Sequence, residues 1–147
     1  MENEYQIIMF ACLKWGYGAA DLAGVARMKY APSVKIIKVR CTGRVDVKHL
    51  LFAITSGADG VMVVGWRPHE CQFKNGNFKA QTHVDLANRI LERRGLGNQR
   101  VNQYWLSSAE SEKLVKSVED TLEKVQRAGL NPLKSAETKT KKKVKAT

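Results

Sequence analysis

The chain has 147 residues, 44% of them hydrophobic and 27% charged, which is the composition of one ordinary globular domain. No apolar run approaches the roughly 20 residues that span a bilayer, and the first residues lack a basic signal segment, so we expect a cytoplasmic protein with no membrane partner. The formal net charge is +11, but six lysines against one glutamate in residues 134–147 supply +5 of it. We therefore expect a single domain over residues 1–131, a disordered Lys-rich tail over residues 132–147, and no nucleic-acid partner.

Four β-prone apolar runs alternate with four helical patterns along the chain. Short apolar runs predict the strands, and apolar residues three and four places apart predict the helices. Ser107 and Glu110 form a capping-box pattern before the last helix, and Gly129 and Pro132 end it. In chain order, the predicted elements are a strand at Tyr5–Ala11, a helix at Ala19–Met28, a strand at Val34–Val39, a helix at Asp46–Ser56, a strand at Gly60–Gly65, a helix at Lys79–Arg94, a strand at Arg100–Leu106 and a helix ending at Ala128.

This alternation predicts a parallel sheet with helices on both faces, because parallel strands need crossover connections that are usually helical. The crossovers are expected to be right-handed, which leaves few arrangements of the strands. We expect an α/β fold of the flavodoxin-like class, with a four-stranded parallel sheet in the strand order 2-1-3-4.

Three cysteines follow the ends of the first three predicted strands. Cys12 and Cys41 come directly after strands one and two, and Cys71 lies in the loop after strand three. Because neighbouring parallel strands end at one edge, about 4.8 Å apart, the three thiols can converge on one site. Each cysteine alone is typical of a buried structural thiol, but together they indicate a metal centre or redox chemistry. His69 is a candidate fourth ligand, although a loop histidine is more often solvated.

The residues around these cysteines form the motifs of a known family. The resemblance covers roughly residues 5–130 in order, and the combined motifs are specific, whereas CTGRVD alone is weaker. On these residues the chain resembles MvhD, the small iron–sulfur (delta) subunit of methyl-viologen-reducing hydrogenases. The matching residues are Cys12, Tyr17, Ala20–Gly24, Cys41–Asp46, Gly57–Val61, Gly65, Pro68, Cys71, Gly76–Asn77 and Lys79–Ala80.

The resemblance to MvhD implies a [2Fe–2S] cluster on a flavodoxin-like domain, with Cys12, Cys41 and Cys71 at family cysteine positions. It implies two partners: an HdrA-like subunit that contains FAD and iron–sulfur centres and bifurcates electrons, and a hydrogenase, formate dehydrogenase or other electron-donor module. Related domains accompany other HdrA-type complexes, including the large tungsten-containing benzoyl-CoA reductase of anaerobes. In such a complex the subunit relays electrons and turns over no substrate of its own.

Trp15 and Trp66 depart from the family pattern, because both stand where the resemblance places cysteines. An indole has no lone pair for iron, since its N–H only donates. One interpretation is that the cluster is lost, or is bound through three thiolates and another group. The other is that both tryptophans are selenocysteines, whose UGA codon some translation tables read as Trp. Finding the bulkiest residue at two separate cysteine positions favours a common cause.

Three functions are consistent with this pattern. The first is an electron-transfer subunit, and the second is a cluster-free structural adaptor that docks the flavoprotein to its electron donor. The third is a small thiol or selenol redox protein that acts through Cys12 and position 15. Arg40, Arg44 and Arg67 follow the same strand ends, where they would tune a cluster potential, meet an acidic partner or simply be solvated.

Overall fold

The structure, a computed structural model, describes residues 5–25 and 33–134. Strands and helices alternate through this part of the chain, and a single turn of 3-10 helix at Thr42–Arg44 follows the second strand. The predicted end of the first helix at Met28 and most of the predicted tail lie outside the described residues. The strands are β1 (Ile7–Cys12), β2 (Val34–Val39), β3 (Gly60–Gly65) and β4 (Val101–Trp105). The helices are α1 (Gly16–Val25), α2 (Val47–Thr55), α3 (Gly76–Arg93) and α4 (Ser111–Ala128).

All four strands form one parallel sheet in the order β2-β1-β3-β4, which confirms the predicted flavodoxin-like α/β fold and its strand order. β1 lies at the centre, with Phe10 paired to Ile37 of β2 on one side and to Val63 of β3 on the other. β4 extends the sheet beyond β3. Because every strand points the same way, the loops that follow the four strands all lie at one edge of the sheet.

Helices cover both faces of the sheet, and each face has its own apolar core. β3 is buried along its whole length, which explains why it is a continuous apolar run without alternation. The core beneath α1 and α4 contains Ile7, Met9, Ala11, Ala19, Ala20, Val34, Met62, Val64, Leu106, Leu114 and Val118. The core beneath α2 and α3 contains Phe10, Val45, Leu50, Ile54, Val61, Val63, Ala80, Val84, Ala87, Leu91 and Val101.

α2 begins within one residue of its predicted start, at Val47, and the other three helices begin further from theirs. α1 and α3 start earlier, at Gly16 and Gly76. A methyl group at Gly16 would lie 2.6 Å from the carbonyl oxygen of Val64, so the glycine lets α1 begin directly against β3. α4 starts later, at Ser111, because only half of the predicted capping box forms: the carboxylate of Glu110 accepts from the backbone N–H of Ser107 at 2.8 Å.

Asp46, the first residue of the predicted second helix, is the N-cap of α2 and forms a complete capping box, which fixes the loop that contains Cys41. The carboxylate of Asp46 accepts from the backbone N–H of Lys48 at 3.2 Å, and Nδ1 of His49 accepts from the backbone N–H of Asp46 at 3.0 Å. The hydrogen bond from Lys48 holds the pKa of Asp46 below its ordinary value. At the other end of α2, Gly57 has φ of 103°, a conformation that favours glycine just after a helix ends.

A buried polar network at the opposite edge of the sheet joins the end of α4 to the body of the domain. Arg100 is only 2% exposed, and its guanidinium donates to the carbonyl oxygen of Asp59 at 2.9 Å. The side-chain amide of Asn131 donates to the carbonyl oxygens of Ile54 and Ala58, each at 2.7 Å. Within the part of the chain that the structure describes, no helix is both long and apolar enough to cross a lipid bilayer.

Candidate metal centre

Cys12, Cys41 and Cys71 line a single hollow at the edge of the sheet where the strands end. Cys12 is the last residue of β1, the loops after β2 and β3 contribute Cys41 and Cys71, and all three thiols are free. Cys12 is buried, whereas Cys41 and Cys71 are half-buried. The residues that line the hollow are Cys12, Lys14, Trp15, Arg40, Cys41, Thr42, Trp66, Cys71, Gln72 and Phe73.

Two glycines allow the thiols of Cys41 and Cys71 to approach each other. A methyl group at Gly76, the first residue of α3, would lie 2.4 Å from Sγ of Cys41 and 3.4 Å from Sγ of Cys71. A methyl group at Gly43, in the 3-10 turn, would lie 2.9 Å from the Cα atom of Gly76. Cβ atoms essentially never come closer than 3.0 Å to such neighbours. The start of α3 therefore packs against both sulfur atoms only because residues 43 and 76 lack side chains.

Several neighbouring groups act on the pKa of the Cys41 thiol. Burial raises the pKa of Cys41 above its ordinary value, and the backbone N–H of Gly43 partly opposes this by donating to the sulfur. Cys71 raises the pKa further, through its charge and through a hydrogen bond between the two side chains, and Cys12 adds a smaller effect. Because neighbouring thiolates repel one another, a bound cation would favour their ionised forms.

Trp15 and Trp66 lie side by side in the hollow. Their ring centroids are 3.8 Å apart and the ring planes are inclined by 38°. Nε1 of Trp66 donates to the carboxylate of Glu70 at 2.9 Å. Nε1 of Trp15 is buried without a partner, as are Gln103 Oε1 and Trp105 Nε1 among the described residues. The structure thus places the two anomalous positions together and leaves one indole N–H unsatisfied beside the three thiols.

The loop that begins with Trp66 is held by Asn77, a residue that the cysteine pattern does not single out. The side-chain amide of Asn77 is fully buried and donates to the carbonyl oxygens of Trp66 at 3.2 Å and Arg67 at 2.8 Å. Arg67 in turn pairs with Glu110 of the loop after β4. The Gly76–Asn77 pair of the family motif is the only sequence signal for this role.

The other predicted site residues are distributed unevenly around the hollow. Arg40 lines it, whereas Arg44 is exposed outside its lining and Arg67 is engaged by Glu110. His69 also lies outside the lining: it is exposed, has φ of 66°, and packs edge-on against Phe78 with ring centroids 5.5 Å apart. The hollow therefore brings together all three cysteines and both tryptophans, but not the candidate histidine.

The donor set of the hollow suits an iron–sulfur cluster only in part. Thiolates are the usual ligands of such clusters, and three cysteines are present, whereas four ligands are normally required. The indoles of Trp15 and Trp66 cannot supply the fourth, since their N–H groups only donate. Among the described residues, no group of three or more His, Cys, Asp and Glu side chains is arranged to hold a metal ion. The side chains as they stand do not complete a cluster site.

Comparison with known proteins assigns the chain to a family. The profile of FlpD, described as methyl-viologen-reducing hydrogenase, delta subunit, matches residues 7–129, which extend from the first residue of β1 to just past α4. The chain belongs to this family. The resemblance to the delta subunit that the motifs predict is thereby confirmed, and it covers the whole alternating fold.

Individual relatives fall into two groups. The vhu iron-sulfur subunit of the F420-non-reducing hydrogenase of Methanocaldococcus jannaschii is 43% identical over 129 residues, which are 88% of this chain and 96% of the relative. The subunit of the same name from Methanopyrus kandleri is 42% identical, over 88% of this chain and 98% of the relative. One subunit of the Ferredoxin/F(420)H(2)-dependent CoB-CoM heterodisulfide reductase of Methanosarcina acetivorans is 32% identical over 123 residues, which are 84% of this chain but only 16% of that protein.

Proposed function

We propose that this chain is an electron-transfer subunit that relays electrons through a [2Fe–2S] cluster within a larger redox complex. The single observation that carries the proposal is the meeting of Cys12, Cys41 and Cys71 in one hollow. The hydrogenase relatives are named iron–sulfur subunits, and thiolates at a half-buried site are the donors that such clusters take. The cluster would supply one-electron chemistry, and the three cysteines would hold it.

The proposed electron acceptor is an HdrA-like subunit that contains FAD and bifurcates the electrons. A domain similar to this chain makes up 16% of a heterodisulfide reductase subunit, so in that relative the two are parts of one polypeptide. Fusion keeps two modules at a high effective concentration, whereas separate chains must meet through their own surfaces. The proposed donor is a hydrogenase, a formate dehydrogenase or another such module, because several relatives are named as hydrogenase subunits.

We further propose that residues 15 and 66 are selenocysteine in the native protein and complete the ligand set. The indole N–H of Trp15 is buried without a partner, an arrangement that costs about 1–3 kcal/mol. A selenol at position 15 would leave no such donor. A selenolate is ionised at neutral pH and, like a thiolate, suits iron. Two selenols would bring the number of chalcogen side chains at the hollow from three to five.

Intact-mass spectrometry of the protein purified from its native source tests the identity of residues 15 and 66. Selenocysteine at both positions gives a selenium isotope pattern and a mass below that of the chain with two tryptophans. A mass that matches two tryptophans, without selenium, would remove this part of the proposal.

A cluster-free adaptor is the second candidate, and the stacking of Trp15 on Trp66 favours it. Two indoles with centroids 3.8 Å apart fill space between the cysteine-bearing loops. Iron and acid-labile sulfide analysis, with EPR of the anaerobically purified complex, separates the two functions. An iron–sulfur signal that Cys41→Ser or Cys71→Ser abolishes supports the electron relay. An intact complex without iron, in which both variants still assemble, supports the adaptor.

A further inference from the structure

We infer that the rim of the hollow is a docking surface for an acidic electron-transfer protein. The rim is defined here as Leu13, Lys14, Arg40, Gln72 and Phe73, which belong to the loops after β1, β2 and β3. The inference rests on the proposed function, because it names the class of partner that approaches the same site.

The charge of the rim is positive and is not neutralised by neighbouring side chains. Lys14 and Arg40 line the hollow and are exposed, and the described residues that line it include no carboxylate. Within residues 5–25 and 33–134, neither cation pairs with an acidic side chain. The carboxylates of the adjacent loops lie outside this lining: Asp46 caps α2, Glu110 pairs with Arg67, and Glu70 accepts from the indole of Trp66. The opening therefore presents a positive potential to an approaching protein.

Two large apolar side chains of the rim are exposed: Phe73 lines the hollow with the cations, and Leu13 precedes Lys14 in the chain. Leu13 is 49% exposed and Phe73 is 54% exposed. An exposed aromatic residue at the mouth of a hollow, together with cations, is typical of a protein–protein interface rather than of a surface that only meets solvent or a polyanion. Aromatic residues in particular are common anchors of binding energy.

The position of this surface indicates what kind of partner binds there. Electrons tunnel only over short distances, so a donor or acceptor for the proposed centre has to cover the mouth of the hollow. Complexes between electron-transfer proteins bury little surface area, and complementary charges guide the two partners together. A positive rim around apolar contacts fits a partner whose own redox group lies within an acidic patch. A second copy of this chain fits poorly, because the two positive rims would repel each other.

The test measures binding of the full-length chain to a ferredoxin of net negative charge by titration calorimetry over a series of salt concentrations. The rim variant combines Lys14→Glu with Arg40→Glu. Its matched control combines Lys116→Glu with Arg89→Glu, which makes the same charge change at exposed positions on α4 and α3. A third variant, Phe73→Ser, removes the apolar contact and leaves the charge unchanged.

We expect the rim variant to weaken binding at low salt by about tenfold or more, and the matched control by no more than about threefold. Phe73→Ser should weaken binding severalfold at every salt concentration. Equal losses in the rim variant and the control would overturn the inference, as would absent binding by the unmodified chain. The inference would also be overturned if a duplex oligonucleotide bound as tightly as the ferredoxin and if this binding depended on Lys14 and Arg40.

Iron and sulfide analysis of the same preparations separates this inference from the proposed function. If the unmodified chain lacks iron but its binding still depends on Lys14 and Arg40, the relay proposal fails while the docking surface stands. If the chain holds iron and the rim variant binds the ferredoxin normally, the docking surface fails while the relay proposal stands.

Discussion

Gly76→Ala places a methyl group directly against the thiol pair. The new carbon would lie 2.4 Å from Sγ of Cys41, whereas heavy atoms in contact are about 3.5–4.0 Å apart. Either Cys41 or the start of α3 must therefore move by at least about 1 Å. Because metal ligands have to be held within about 0.5 Å of a productive geometry, we expect this variant to lose most of its iron. Overpacking should also cost about 1–3 kcal/mol of folding free energy.

Gly24→Ala is the matched control for this substitution. It makes the same chemical change within α1, where a methyl group would meet no atom of the described residues within 4 Å. We expect it to keep its iron and to gain about 0.5–1 kcal/mol of stability, since alanine is the better helix former. The measurements are iron and acid-labile sulfide per chain after anaerobic reconstitution, and the free energy of unfolding in urea. A Gly76→Ala variant that holds as much iron as the control would refute the proposed role of Cys41 and Cys71 as ligands beside the start of α3.

Three further substitutions test the scaffold that carries the site. Asp46→Ala removes the N-cap of α2. The pKa of the Asp46 carboxyl is lowered in the folded chain, so the cap stabilises α2 fully above the ordinary carboxyl pKa. This stabilisation is lost as the pH falls through the lowered pKa of the folded chain. The melting temperature of the variant should therefore fall less steeply with decreasing pH than that of the unmodified chain. Arg100→Met leaves the carbonyl oxygens of Asp59, Leu96 and Ala128 without their donor. It should lower the free energy of unfolding, measured in urea, by about 3 kcal/mol. Asn131→Ala should cost about 2 kcal/mol in the same assay, because its amide bridges two buried carbonyls.

Each of these expectations has a clear contrary result. If the melting temperature of Asp46→Ala fell as steeply at low pH as that of the unmodified chain, protonation of the cap carboxylate would not affect folding stability. Unfolding free energies of Arg100→Met or Asn131→Ala within about 0.5 kcal/mol of the unmodified chain would place them among ordinary surface substitutions. The polar network at that edge would then contribute little to stability.

The fold was predictable because its signals are local and repeated. β3 is a continuous apolar run since helices cover both of its faces, and regular alternation with helices restricts a parallel sheet to a few right-handed arrangements. Glycines make the helix starts harder to predict. Glycine is typical of turns, but Gly16 and Gly76 each begin a helix. Gly16 lies against Val64 and Gly76 lies against the sulfur of Cys41, at distances that no side chain would allow.

The sequence indicated which thiols lie at one edge, but not how they are held there. Strand ends alone place Cys12, Cys41 and Cys71 near one another, since parallel strands end together. The packing of Gly43 on Gly76 and the amide of Asn77 involve residues that lie far apart in sequence and have no chemical signature. The outward position of His69 depends on a left-handed backbone conformation that neighbouring residues alone do not specify.

Anomalous diffraction from anaerobically grown crystals of the native protein, recorded at the iron and selenium edges, tests the central claim most directly. We expect two iron atoms in the hollow bonded to sulfur atoms of Cys12, Cys41 and Cys71, with selenium at positions 15 and 66. A hollow without iron, in which ordinary indole density at both positions fills the space between the three thiols, would contradict it.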